Sequence, residues 1–192
     1  MSNLDLIKAP VYNELEKFNK YFKEELKSNT VLLDIISNYV ISQKGKQIRP
    51  LLVFLSAKLN GGITQSTYSA AVLIELMHTA TLIHDDVVDN SFQRRGLYSV
   101  NAIWKNKIAV LIGDYFLAKG LLHSIESNEF ELLRIVSEAV KEMSEGELLQ
   151  IKKVRLLNID ETAYFEIIRK KTASLISAAM VAGATSSKMN PD

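Results

Sequence analysis

Residues 69–89 constrain the fold of this chain more than any other segment. Ala70, Ala71, Val72, Leu73, Ile74, Leu76 and Met77 succeed one another with Glu75 as the one polar interruption. A helix that is apolar around nearly its whole circumference belongs at the centre of a bundle, with neighbours on every side. This one ends in Asp85, Asp86 and Asp89. At about 100° per residue, Asp85 and Asp89 share a face one turn apart, and Asp86 lies beside them. The charge is thereby placed at the mouth of the bundle interior, where helical bundles build ligand sites. Such carboxylates repel one another at neutral pH unless cations sit among them. Hard oxygen ligands on one face suit Mg²⁺, which takes one or two carboxylates and completes its shell with water and substrate phosphates. Arg94 and Arg95 follow within one loop, and guanidinium forks are suited to phosphate. The pattern predicts a magnesium–diphosphate site.

The rest of the chain reads as helix after helix. Apolar residues recur at three and four spacing over 15–26, 31–41, 51–59, 68–88, 110–125, 130–151 and 164–184, the period of an amphipathic helix. Gly61 and Gly62 form a stop, Thr64 is the expected N-cap of the central helix, and Asp160 with Glu161 opens the last long one. No stretch alternates with a clean period of two, so the expected fold is all-α. With 192 residues the chain has the length of one domain. A net charge of +1 gives no reason to expect nucleic acid as a partner. The absence of cysteine excludes disulfides and thiolate metal sites and fits a reducing, cytoplasmic compartment. Residues 1–10 carry Asp5 and Lys8 and do not form a signal peptide. Residues 70–83, read as the most apolar stretch, are interrupted by Glu75 and His78 and are too short to span a bilayer. At the other end, Asn190, Pro191 and Asp192 read as a helix opening, which suggests a portion of a longer protein.

A second charged cluster lies upstream, in Lys44, Gly45, Lys46 and Arg49. The glycine permits a tight turn, placing Lys46 and Arg49 one turn apart at a helix start, where backbone N–H groups and the helix dipole also favour anions. His78 lies seven residues before Asp85, about 20° away in projection and two turns deeper.

Together these residues resemble those of trans-type polyprenyl diphosphate synthases, octaprenyl diphosphate synthase-like enzymes above all. The resemblance rests on Gly45-Lys46-Gln47-Ile48-Arg49-Pro50, on Glu75 through His78 to His84-Asp85-Asp86 and Asp89, and on Arg94-Arg95-Gly96. Gly113-Asp114, the run from Glu145 to Gln150, and Lys171-Thr172 extend it. It implies an isoprenoid synthase-type helical bundle that forms a homodimer and condenses isopentenyl diphosphate onto an allylic diphosphate with Mg²⁺. It further implies that Asp85 and Asp89 bind Mg²⁺, with Asp86 a neighbouring or water-mediated ligand. Arg94 would contact the allylic diphosphate, which Lys171 and Thr172 would also reach. Lys46, Arg49, His78 and Arg95 would hold isopentenyl diphosphate. Gln150 and Asp114 match the pattern but suit structural hydrogen bonds equally.

One and two turns below Asp85 stand Thr81 and Met77, with Ala80 beside them. None is aromatic, so a growing chain could pass and a medium- or long-chain product is expected; the resemblance implies an octaprenyl-like one destined for isoprenoid quinones. Full-length members carry a second aspartate-rich motif that this sequence lacks. Residues 1–192 are therefore expected to be the N-terminal part of a single domain, without the C-terminal helices and weak or inactive in catalysis. Three other readings compete. A class I terpene synthase leaves Lys46, Arg49 and His78 unexplained. A di-iron bundle would use Glu75-x-x-His78, but His84 and His123 follow Thr81 and Gly120 where a second Glu is needed. The third is a non-catalytic subunit that docks on a partner.

Overall fold

A computed structural model describes residues 3–43 and 45–187; Lys44 of the basic cluster and the Asn190-Pro191-Asp192 opening lie outside the described residues. The three-and-four periodicity folds as expected. Helix α1 (Asn3–Lys8) passes through a 3₁₀ turn (Ala9–Val11) into α2 (Tyr12–Glu25), followed by α3 (Val31–Ser42) and α4 (Ile48–Leu59). Then come α5 (Gln65–Val88), α6 (Val100–Glu126), α7 (Phe130–Arg155), α8 (Glu161–Ile168) and α9 (Ser174–Ser187).

Helix α5 is the axis. It packs against α2, α4, α6, α7 and α9, and Ala70 through Ile74 are each exposed by 1% or less. Every fully buried Leu or Ile on it contributes roughly 1.5–3 kcal/mol. Its start is fixed by a capping box: the Thr64 side chain accepts from the Thr67 backbone N–H, and the Thr67 hydroxyl accepts from that of Thr64. Thr67 also meets Ser186 Oγ at 2.8 Å, and Thr64 donates to the Ser186 carbonyl at 3.1 Å, which pins the start of α5 to the end of α9. Helices α4 and α9 cross closely at Gly183, where a Cβ would stand 2.3 Å from the Val53 carbonyl oxygen.

Four features depart from the periodicity. A small antiparallel hairpin, β1 (Gln93–Arg94) with β2 (Leu97–Tyr98), interrupts the all-helical expectation. Two-residue strands are too short to leave an alternating pattern. The hairpin turns on Arg95 (φ 53°) and Gly96 (φ 80°), both left-handed as a two-residue primed turn requires. Helix α6 begins ten residues before its expected start and is broken at Lys105, which leaves helical geometry at φ 71° and ψ 160°. The last long helix is two, α8 and α9, joined by a π-turn (Arg169–Ala173), with Asp160 capping α8 by accepting from Ala163 N–H at 2.7 Å. Finally, among the described residues α6 rather than 70–83 is the helix long and apolar enough by composition to cross a membrane, at a mean hydropathy of 1.4 over its best window. One of its faces is buried through Ala109, Ile112 and Phe116; the other exposes Leu111, Leu121, Leu122 and Ile125.

Because the α4–α9 crossing has no space for a methyl group, Gly183→Ala is expected to destabilise the fold by about 1–3 kcal/mol, the usual cost of overpacking. Urea denaturation checks this; an unchanged midpoint would show that the helices separate freely.

Candidate active site

Two clefts beside α5 hold seven of the predicted site residues, Thr81, Asp85 and Lys171 in one and Lys46, Arg49, His78 and Arg95 in the other, while Asp86 and Arg94 line a narrow pocket adjoining the second. The acidic cleft, about 360 Å³, is lined by Thr81, His84, Asp85 and Val88 of α5, by Met143, Glu147, Leu148 and Ile151 of α7, and by Lys171 of the π-turn. Asp85 is half-buried there and Asp89 is exposed at the rim. Burial first, then Glu147, pushes the Asp85 carboxyl above its ordinary range; Asp89 adds to the shift, and Lys171 and Arg94 oppose it. Lys171 pairs with Glu147 and donates to Gln150 Oε1 at 2.7 Å. Gly146 makes this reach possible, since a Cβ there would stand 2.7 Å from Lys170 Cβ and 3.0 Å from Lys171 Cγ. The π-turn aims Lys171 inward, an irregularity often found at functional sites. Thr172, beside it, is exposed and does not line the cleft.

Among the described residues, no three His, Cys, Asp or Glu side chains converge as a metal site. Asp85 and Asp89 nevertheless fit Mg²⁺: they are hard oxygen donors, two in number, one turn apart, and the Asp89 charge opposes ionisation of Asp85. Asp86 points elsewhere. Arg94 Nε donates to both of its carboxylate oxygens at 3.0 and 2.9 Å, and Nη2 to Oδ1 at 2.6 Å. Asp86 is 4% exposed, and its carbonyl accepts from Ser91 N–H and Asn101 Nδ2. The expected metal neighbour is thus the anchor of the hairpin that carries Arg94 and Arg95. Hydrogen bonding to Asp86 raises the Arg94 pKa further.

The basic cleft, about 700 Å³, brings together Lys46, Arg49, His78 and Arg95, the four residues expected to share one diphosphate, and adds Lys8 and Glu75. Arg49 Nη1 donates to His78 Nε2 at 2.9 Å; Arg95 Nη1 donates to the Gln43 carbonyl at 2.8 Å. The expected tight turn at Gly45 is made instead by Gln47, left-handed at φ 52° and held by its Nε2 donating to Asn19 Oδ1 at 2.8 Å. Gly45 serves a different need: a Cβ there would lie 2.5 Å from the Arg95 guanidinium. Placed among arginines, Glu75 and His78 make a poor cation site, which removes the di-iron reading. Of the three channel residues, Thr81 lines the acidic cleft, Ala80 is wholly buried, and Met77 packs its methyl against Gly120 of α6. His84 fills the space over Gly113 and approaches Asp114 at 3.4 Å, so Asp114 has a structural partner. Sequence reasoning missed Glu147; its signal was the Glu-Gly-Glu run around Gly146.

The sequence model of the polyprenyl synthetase family matches residues 30–192, and the chain belongs to that family. It is 37% identical over 177 residues to the octaprenyl diphosphate synthase of Escherichia coli K12, covering 92% of this chain and 55% of that protein. To the geranyl-diphosphate-specific all-trans-nonaprenyl-diphosphate synthase of Rhodobacter capsulatus it is 35% identical, covering 90% and 54%. Among solved structures, the polyprenyl synthase of Caulobacter crescentus CB15, complexed with calcium and isoprenyl diphosphate, superposes with a TM-score of 0.92 at 33% identity, covering 98% and 57%. The chain thus spans a little over half the length of the relatives it matches.

Burial first, and then Arg49, Arg95 and Arg94, hold the His78 imidazole at about 3, far below its ordinary 6.5. Between these values the unfolded chain binds a proton that the folded one does not, so stability falls as pH drops from about 6.5 toward 3. Denaturation across pH 4–7 should show this slope, reduced by up to one proton in His78→Gln; equal slopes would mean that His78 takes up its proton in the folded state.

Proposed function

We propose that this chain carries the two diphosphate-binding faces of a trans-polyprenyl diphosphate synthase, which condenses isopentenyl diphosphate onto an allylic diphosphate to make a medium- or long-chain, octaprenyl-like product for isoprenoid quinones. One observation carries the reading: clefts of opposite character open beside the same helix, one lined by Asp85 near its end and the other by His78 further along, with Arg49 of α4. Electrophile and nucleophile each arrive as a diphosphate, and each needs its own counter-charges. A terpene synthase, which ionises a single diphosphate, has no use for the basic cleft.

In this reading Asp85 and Asp89 hold Mg²⁺, which supplies divalent charge to the departing diphosphate as its C–O bond breaks. Lys171, positioned by Glu147 and Gln150, adds a fixed cation from the opposite wall. Arg94 meets the allylic diphosphate through Nη1, the nitrogen outside its pair with Asp86. Lys46, Arg49 and Arg95 hold isopentenyl diphosphate, and His78, kept neutral, accepts from Arg49 and fixes its fork. Thr172, exposed beside Lys171 and outside the cleft lining, is a second contact to the allylic substrate only at the cleft's edge. A growing chain descends past Thr81, while Met77 and Ala80 shape the wall from behind. The exposed apolar stripe of α6, including Leu111, Leu121, Leu122 and Ile125, supports a second copy of the chain as partner. The compartment proposed is the cytoplasm, in keeping with a chain without cysteine.

Titration of the chain with an unreactive allylic diphosphate analogue should show binding that requires Mg²⁺ and weakens about tenfold or more in Asp85→Asn, the worth of a charged contact. Binding indifferent to Mg²⁺ would sink the reading. Turnover of isopentenyl and farnesyl diphosphates separates an enzyme from a non-catalytic subunit. Where products form, Thr81→Phe should shorten them, and an unaltered product distribution would reject the channel past Thr81.

A further inference from the structure

Glu75 has no role in the reaction described above, yet it stands in the wall of the basic cleft. Among the described residues lining that cleft it is the single carboxylate, facing Lys8, Lys46, Arg49 and Arg95. A narrower pocket of about 70 Å³ adjoins the cleft, and Glu75, His78 and Arg95 line both spaces. Glu75 and His78 are three residues apart on α5, so both project toward the same side.

The two arginines are held by neutral groups only: Arg49 donates to a ring nitrogen of His78, and Arg95 to the Gln43 carbonyl. A guanidinium can only donate, so His78 Nε2 is the acceptor and the ring proton sits on Nδ1. That Nδ1, like Arg49 Nε, is buried without a hydrogen-bond partner. Burial pushes the Glu75 carboxyl above its ordinary range, and Arg49 and Arg95 oppose that shift and favour the carboxylate; at Arg49 the Glu75 charge in turn offsets the repulsion of Arg95. Glu75 is the countercharge common to the two.

We propose that Glu75 is a positioning residue whose carboxylate keeps the guanidiniums of Arg49 and Arg95 together on the cleft wall, so that a diphosphate meets two fixed forks. The inference rests on reading the basic cleft as a diphosphate site. Without that carboxylate the like charges separate, and each long side chain regains rotamer freedom that binding must remove. Removing the charge has an opposite effect as well: the cleft becomes more positive, which tightens every anion. Selectivity separates the two effects, because only an anion spanning both forks depends on their pairing.

The test is calorimetric titration of the 192-residue chain with inorganic pyrophosphate and with sulfate, at fixed ionic strength and without divalent ions, for the unaltered chain, Glu75→Gln and Glu75→Asp. The ratio of pyrophosphate to sulfate affinity is expected to fall about tenfold in both variants, the size of one charge-assisted hydrogen bond. Glu75→Asp keeps the charge but withdraws it by one methylene, and it carries the test if Glu75→Gln does not fold. A ratio that is unchanged or raised overturns the role of Glu75 and leaves the cleft reading standing. Failure of the unaltered chain to bind pyrophosphate overturns the cleft reading itself.

Discussion

Burial of α5 on every side is the constraint from which the other features follow. A helix with no solvent-facing stripe can present charge cheaply only at its end, and that is where Asp85 and Asp89 stand. Polar groups further along must be matched locally. Glu75 and His78 are matched by arginines brought from α4 and from the hairpin after α5. The cost of placing ionisable groups in the core thus fixes where the neighbouring elements have to bring their cations.

The Asp86–Arg94 pair ties the end of α5 to the hairpin that follows it. Adjacent to Asp85 in sequence, Asp86 is turned about 100° around the helix and lines the narrow pocket adjoining the basic cleft rather than the acidic one. Its fork-to-fork contact with Arg94 ties the hairpin down. This sets the position of Arg95, whose guanidinium lies over Gly45. A residue whose sequence neighbours suggest a metal ligand therefore organises the anion site. Glycines have a comparable part: Gly45, Gly146 and Gly183 each mark a point where a side chain or a helix backbone comes too close for a Cβ.

Much of this was legible in sequence. The helices at 31–41, 51–59, 68–88 and 130–151 were marked by apolar period, and the caps at Thr64 and Asp160 by residue type. The basic quartet was legible too, because Lys46, Arg49, His78 and Arg95 converge as expected. The hairpin, the break at Lys105 and the π-turn were not. They are held by tertiary contacts and by left-handed or irregular backbone at residues such as Arg95 and Lys105, which carry no local preference for it. Glu147 was hidden because a carboxylate on an amphipathic helix reads as solvated until the opposite wall, with Lys171, is in place.

The sequence by itself determined that the chain is a helical bundle around 69–89, with carboxylates at the end of its central helix and two groups of cations nearby. Periodicity and charge are local properties and survive without a fold. Only the tertiary structure decided that the three aspartates divide, Asp85 facing the acidic cleft and Asp86 the arginine, and that Glu75 shares one cleft wall with Arg49 and Arg95. Those assignments depend on which helix lies against which face of α5, a choice made by packing across residues distant in the chain.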